Sequence, residues 1–94
     1  MKMKKYELVV VSGENCVFCD MTKNLLDDEV MPYRVVDYKT FPIFKDDGHL
    51  TVPQLYFYDK TNGKYECLEG GYTALLKTGV EGIKRRMEES VTVS

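Results

Sequence analysis

The sequence predicts an α/β fold, a mixed four-stranded β-sheet with helices on both faces. Three observations carry this reading. A Val-rich run, a helical pattern and a second Val-bearing run follow one another between Tyr6 and Tyr38, about the length of one βαβ unit. An Asn62-Gly63 turn then joins two further β-like runs, the strongest short hairpin signal. Finally, apolar residues recur at helical spacing from Tyr72 to Met87. A chain of 94 residues suits one domain, 1–94, with a single modest core.

Each element has its own signal. Tyr6 to Ser12 carries Leu8-Val9-Val10-Val11 with no polar alternation after Glu7, which suits a strand covered on both faces. Ser12-Gly13-Glu14-Asn15 reads as a loop with Asn15 as helix N-cap. Cys16 to about Glu29 is the first helix, with Val17, Met21, Leu25 and Leu26 on its apolar stripe and Pro32 beyond its end. Tyr33 to Tyr38 is the second strand, and the crossover between the two strands should be right-handed. Thr40 to Asp47 is ambiguous; Thr40 could cap a short helix with Pro42 in its first turn. Asp47-Gly48-His49 is a turn. Gln54 to Asp59 and Lys64 to Glu69 form the hairpin. The terminal helical region should break at Thr78-Gly79, end near Glu89 and leave Val91 to Ser94 as a loose tail.

Composition narrows the function classes. Apolar content of 44% and charged content of 30% describe an ordinary globular chain rather than a disordered one. The net charge of −2 argues against nucleic acid as the main partner, because phosphate neutralisation needs a basic surface. Met1-Lys2-Met3-Lys4-Lys5 mimics the start of a signal peptide, but Tyr6 and Glu7 interrupt it. No stretch approaches a transmembrane length. A reducing cytoplasm is therefore the expected setting, with no membrane partner.

The chemistry gathers at Cys16-Val17-Phe18-Cys19. Thiol chemistry needs the thiolate, and an ordinary cysteine with a pKa of about 8.5 is only slightly ionised at neutral pH. A helix N-terminus offers unpaired N–H groups and partial positive charge, which favour the anion. At that mouth Cys16 would attack, and Cys19, one turn on and less exposed, would resolve the mixed disulfide. Glu14 and Asp20 oppose this if their carboxylates approach Cys16, and no Lys or Arg lies between Gly13 and Thr22. A zinc site from Cys16, Cys19, His49 and Cys67 is an alternative, though the last two are not paired in a second knuckle. Cys67 otherwise reads as a core residue of the last strand, and His49 as a solvated turn residue.

Three patches together resemble the glutaredoxin family, within the thioredoxin fold. They are Cys16-Val17-Phe18-Cys19 after the first strand, Thr51-Val52-Pro53-Gln54 before the third, and Gly70-Gly71-Tyr72-Thr73 after the fourth. Val17 in place of the usual proline, with Asp20 following, is most like the dithiol glutaredoxins of large tailed phages. The resemblance implies that Pro53 is cis, leaving the Val52 backbone to pair with an extended substrate by strand addition. It implies that Phe18, Thr51, Val52, Pro53, Gly71, Tyr72 and Thr73 bind glutathione. The Gly71-Tyr72-Thr73 backbone at a helix start would take the γ-glutamyl carboxylate. Ordinary readings stand beside these: Pro53 as a turn proline, Thr73 as a simple N-cap, Tyr72 as core. Three departures weaken the charge and hydroxyl partners of the family. Ala74 stands where an acid is common, Gly13 where a base is common, and Phe18 where tyrosine is common.

The resemblance thus implies a glutathione-dependent thiol-disulfide oxidoreductase. It would reduce protein disulfides or glutathione mixed disulfides, with glutathione as co-substrate and no metal. Ribonucleotide reductase is a candidate client, and nothing demands more than a monomer. The alternatives are a carrier reduced directly by thioredoxin reductase, and a metal-binding module holding an iron–sulfur cluster or zinc.

Overall fold

In the computed structural model, residues 2–48, 51–68 and 70–92 are described. Strand β2 (Tyr6–Ser12) is buried at every residue except Glu7, as a run without polar alternation requires. It lies between β3 (Arg34–Asp37), which runs parallel to it, and β4 (Gln54–Asp59), which runs antiparallel. β5 (Lys64–Leu68) pairs with β4 across the Asn62-Gly63 turn, giving the order β3-β2-β4-β5. The mixed four-stranded sheet is the one expected from the sequence.

Because side chains alternate along a strand, β2 and β4 feed two clusters on opposite faces. On one face Leu8, Val10, Leu55 and Phe57 pack with Leu26 of α1 (Val17–Asp28) and with Leu75, Ile83 and Met87 of α3 (Gly71–Met87). On the other, Val9, Val11 and Tyr56 pack with Phe41 and with Phe44 of α2 (Pro42–Asp46). The second face is aromatic: Phe41 meets Tyr56 and Tyr65 edge-on with centroids 5.4 and 5.1 Å apart.

Several sequence expectations change. The buried stripe of α1 is Cys19, Thr22 and Leu26, whereas Val17 and Met21 are 69% and 39% exposed. Burial of the Cys19 sulfur turns those two apolar residues outward. The N-cap is Cys16 rather than Asn15, which instead turns the loop with a left-handed φ of 51°. Phe41, not Thr40, precedes α2, with Pro42 opening it. The break in α3 is a kink: Gly79 has φ 76° and ψ 149° inside an otherwise helical run.

The expected loose tail is partly a strand. β6 (Ser90–Thr92) pairs antiparallel with β1 (Lys2–Lys4) in a separate two-stranded ribbon. The short polar segments of this ribbon carry too little periodicity to be read alone. His49 and Glu69, the expected turn and strand end, lie outside the described residues. Among the described residues no helix is long and apolar enough to cross a membrane.

Candidate active site

The site forms where three chain segments converge beyond one end of β2 and β4. The loop after β2 delivers Cys16, whose extended backbone (φ −110°, ψ 104°) makes it the N-cap of α1. Its sulfur accepts a hydrogen bond from the Cys19 backbone N–H at 3.1 Å. This is the position in which Ser or Asp usually satisfies an orphan helix donor, here filled by sulfur. In the dithiol state the same N–H and the helix end favour a thiolate at Cys16. The two cysteines form a disulfide, with Cα atoms 5.2 Å apart.

The two sulfurs are not equivalent. Cys19 is only 1% exposed, while Cys16 is partly exposed. A substrate disulfide can therefore reach Cys16, and Cys19 can reach only Cys16. Val17, Phe18 and Met21, which follow Cys16 on α1, are apolar and exposed. Asp20 does not act on the thiol as a lone charge, because it points outward and pairs with Lys23 at 3.6 Å. The cation missing from the thiol's immediate neighbourhood thus appears one residue beyond the stretch in which the sequence lacks one.

The second segment is Thr51 to Gln54. The Val52–Pro53 peptide bond is cis, and the Val52 carbonyl oxygen lies 3.7 Å from the Cys16 sulfur. Gln54, 6% exposed, donates from Nε2 to the Thr51 carbonyl at 3.1 Å and so braces the turn from behind.

The third segment is the start of α3. Gly70 is its N-cap with φ 103°, and Gly71 follows with φ 54°. Gly71 packs so closely on Pro53 that a Cβ atom there would run into the Pro53 carbonyl. This close approach explains the second glycine. Thr73 is not the N-cap; it sits within the first turn. Tyr72 serves the core and the site at once: it packs against the first cluster, and its ring lies 5.7 Å from that of Phe18.

A groove of about 340 Å³ results, lined by Phe18, Thr51, Val52, Pro53, Tyr72 and Thr73 among others, with Gly71 buried beside Pro53. The residues that the resemblance nominated therefore line or adjoin one groove, and Val52 is the one whose carbonyl lies against the Cys16 sulfur. A second hollow, of about 570 Å³, lies on the other side of Val52 and is lined by Gly13, Glu14, Asn15, Tyr38, Lys39 and Phe44. Tyr38, Lys39 and Phe44 were missed from the sequence. A Cβ on Gly13 would stand 3.2 Å from the Tyr38 ring and from the Val52 side chain, so the aromatic ring occupies the room that a longer residue at 13 would need.

Cys67 is partly buried and packs on the aromatic face, whereas α1 packs on the opposite face. The described residues contain no group of three metal-capable side chains, and His49 lies outside them. Chemically, the arrangement can cycle between dithiol and disulfide through one accessible sulfur.

No protein-family model matches the chain, and no curated protein matches it closely enough to count. Solved structures do. The crystal structure of a buckwheat glutaredoxin–glutathione complex has a TM-score of 0.64 and 20% identity, over 87% of this chain and 76% of that one. The solution structure of a glutaredoxin from Brucella melitensis has a TM-score of 0.66 and 17% identity, over 92% of both chains. The fold is that of the glutaredoxins, a thioredoxin-like fold.

Proposed function

We propose that this chain is a dithiol thiol-disulfide oxidoreductase of the glutaredoxin type. The observation that carries the reading is the placement of the Cys16 sulfur. It caps α1, accepts the Cys19 N–H, and faces the Val52 carbonyl beside the Gly71–Pro53 contact. The Cys16 thiolate attacks a substrate disulfide, forming a new S–S bond and expelling one substrate thiolate. With a protein client, the Cys19 thiolate then attacks the Cys16 sulfur, releasing the second client thiolate and leaving the Cys16–Cys19 disulfide. Two glutathione thiols return that disulfide to the dithiol and leave as glutathione disulfide. With a small glutathione mixed disulfide, a second glutathione resolves Cys16 directly.

In this reading Val52 pairs with the cysteine moiety of glutathione. Thr51 and Pro53 hold that strand, and Phe18 and Tyr72 flank it. The Gly71-Tyr72-Thr73 backbone receives the γ-glutamyl carboxylate. The glutathione in the buckwheat complex supports this choice of co-substrate. We place the protein in a reducing cytoplasm as a one-domain monomer without metal, with disulfide-bearing proteins as clients, ribonucleotide reductase among the candidates. Val17 between the thiols favours the type found in large tailed phages.

The test is NADPH consumption coupled to glutathione reductase, with a small glutathione mixed disulfide as substrate. Wild type and Cys19→Ser should turn over, and Cys16→Ser should lose activity by about 10³-fold or more. Activity in Cys16→Ser but not Cys19→Ser would reverse the two roles. A second reading, a carrier recharged by thioredoxin reductase, draws on Ala74 and Gly13, which withhold an acid and a base from glutathione. Recharging by thioredoxin reductase but not by glutathione would establish it. Stoichiometric zinc surviving dialysis would overturn both.

A further inference from the structure

Gln54 breaks the pattern of the sheet. It opens β4 opposite Val11 of β2, so it lies on the face where Val9, Val11 and Tyr56 cluster with Phe41 and Phe44. Its side chain is 6% exposed, a polar amide on the face of an aliphatic and aromatic cluster. One end of the amide is used: Nε2 donates to the Thr51 carbonyl at 3.1 Å, with the Thr51 hydroxyl oxygen at 3.5 Å. The other end is not. Among the described residues, Gln54 Oε1 is the buried side-chain polar atom that lacks a hydrogen-bond partner. Thr22, also buried, satisfies its hydroxyl by donating to the Phe18 carbonyl at 2.8 Å. An acceptor shut away from water without a partner weakens the fold. The Nε2 bond offsets little of that loss, because Thr51 is exposed and water can serve its carbonyl instead. A methionine would fill the same space and leave nothing in it unpaired. The amide thus works against stability, and local violations of this kind mark functional positions.

The use lies in the peptide that Nε2 grips. The Thr51 carbonyl and the Val52 N–H belong to one trans peptide plane and point in opposite directions, so fixing the first aims the second. The Val52 carbonyl in turn lies 3.7 Å from the Cys16 sulfur. We propose that Gln54 is a positioning residue for the disulfide substrate: by holding the Thr51 carbonyl it aims the Val52 N–H at the backbone of the extended chain that reaches Cys16. The inference rests on the oxidoreductase reading, and adds to the Val52 strand pairing the side chain that orients its donor. Gln54 acts through Val52 and takes no part in the exchange of sulfur bonds. The pairing N–H serves the bound substrate and the transition state of sulfur exchange alike, so its aim bears on KM rather than on kcat.

The experiment compares wild type with Gln54→Met in turnover of the small glutathione mixed disulfide and in urea denaturation. KM should rise about fivefold, the worth of one hydrogen bond. The Cys16 sulfur keeps its bond from the Cys19 N–H, so kcat should stay within about twofold. The urea midpoint should equal or exceed that of wild type, because the unpaired oxygen is gone. An unchanged KM, a loss carried by kcat, or a midpoint below that of wild type overturns the assignment. Should wild type fail to turn over this substrate, the oxidoreductase reading fails instead. The grip on the peptide is then read without substrate, by backbone 15N relaxation of the oxidised protein. The Val52 amide should be as ordered as the sheet in wild type, with an order parameter of about 0.85, and fall toward about 0.6 in Gln54→Met. Equal order at Val52 in the two proteins overturns the positioning role.

Discussion

Two hollows meet at Val52, and they are made of different materials. On one side the wall is backbone: the cis Val52–Pro53 bond, Gly70 with φ 103°, and Gly71 pressed against the Pro53 carbonyl. On the other it is side chain: Tyr38 lies against Gly13, and Phe44 lies beneath, itself backed by the aromatic cluster of Phe41, Tyr56 and Tyr65. A backbone wall fixes the position of hydrogen-bonding groups and tolerates almost no substitution. A side-chain wall sets shape and charge and can be changed one residue at a time.

The sharpest way to break this contrast is Gly71→Ala. Both the left-handed φ of 54° and the Pro53 carbonyl oppose a side chain, so the substitution should cost about 2–4 kcal/mol in urea denaturation. It should also depress glutathione-coupled turnover. A cost below about 0.5 kcal/mol would mean that the glycine side is no more rigid than the other.

The aromatic side should answer to pH. Tyr56 is fully buried and its hydroxyl donates to the Asp47 carboxylate at 2.8 Å. Burial first, then that bond, raises its phenol pKa far above the ordinary value. The unfolded chain therefore releases this proton above pH about 10 while the folded chain keeps it, so stability present below that pH declines as pH rises beyond it. The urea midpoint should fall between pH 9 and pH about 11, and Tyr56→Phe should flatten that fall while costing about 1 kcal/mol at neutral pH. An unchanged slope in Tyr56→Phe would assign the alkaline loss to other groups.

The smallest effect belongs to Gly13→Ala. The added Cβ at 3.2 Å from the Tyr38 ring requires a small shift of an exposed aromatic, worth about 1 kcal/mol or less. In a double-mutant cycle with Tyr38→Ala the two changes should be non-additive, because the ring is what the methyl meets. Additivity would mean that Val52 alone confines Gly13.

The same contrast explains what could be read from the sequence. Backbone features leave residue-type signatures: Gly70-Gly71, Pro53, and a cysteine pair after an apolar run. Together with the Asn62-Gly63 turn and the helical spacing, these gave the sheet and the thiol pair, whereas the glycine-side groove was only what the resemblance to glutaredoxins implied. Tyr38, Lys39 and Phe44 carry no signature of their own. They come together only through the parallel pairing of β3 with β2 and the packing of α2 on the sheet. The stripe of α1 was read correctly at Leu25 and Leu26, which pack on the core, and wrongly at Val17 and Met21: periodicity identifies an amphipathic helix, but in its first turns the buried face is that of Cys19 and Thr22. β1 and β6 were missed because three-residue strands contain too few residues to show a period.

That ribbon has a mechanical consequence. Lys2 pairs with Thr92, Met3 with Val91 and Lys4 with Ser90, so its two strands are antiparallel and their outer ends lie side by side. A load applied at Lys2 and Thr92 would peel the pairs apart one after another, starting with the outermost, rather than shear all of them at once. The ribbon would yield at low force, with the tension next reaching Lys5, whose N–H bonds the Glu89 carbonyl at 2.9 Å and whose carbonyl accepts from Lys60 at 2.8 Å. Beyond that point the pull meets β2 at the centre of the sheet, held by partners along both edges.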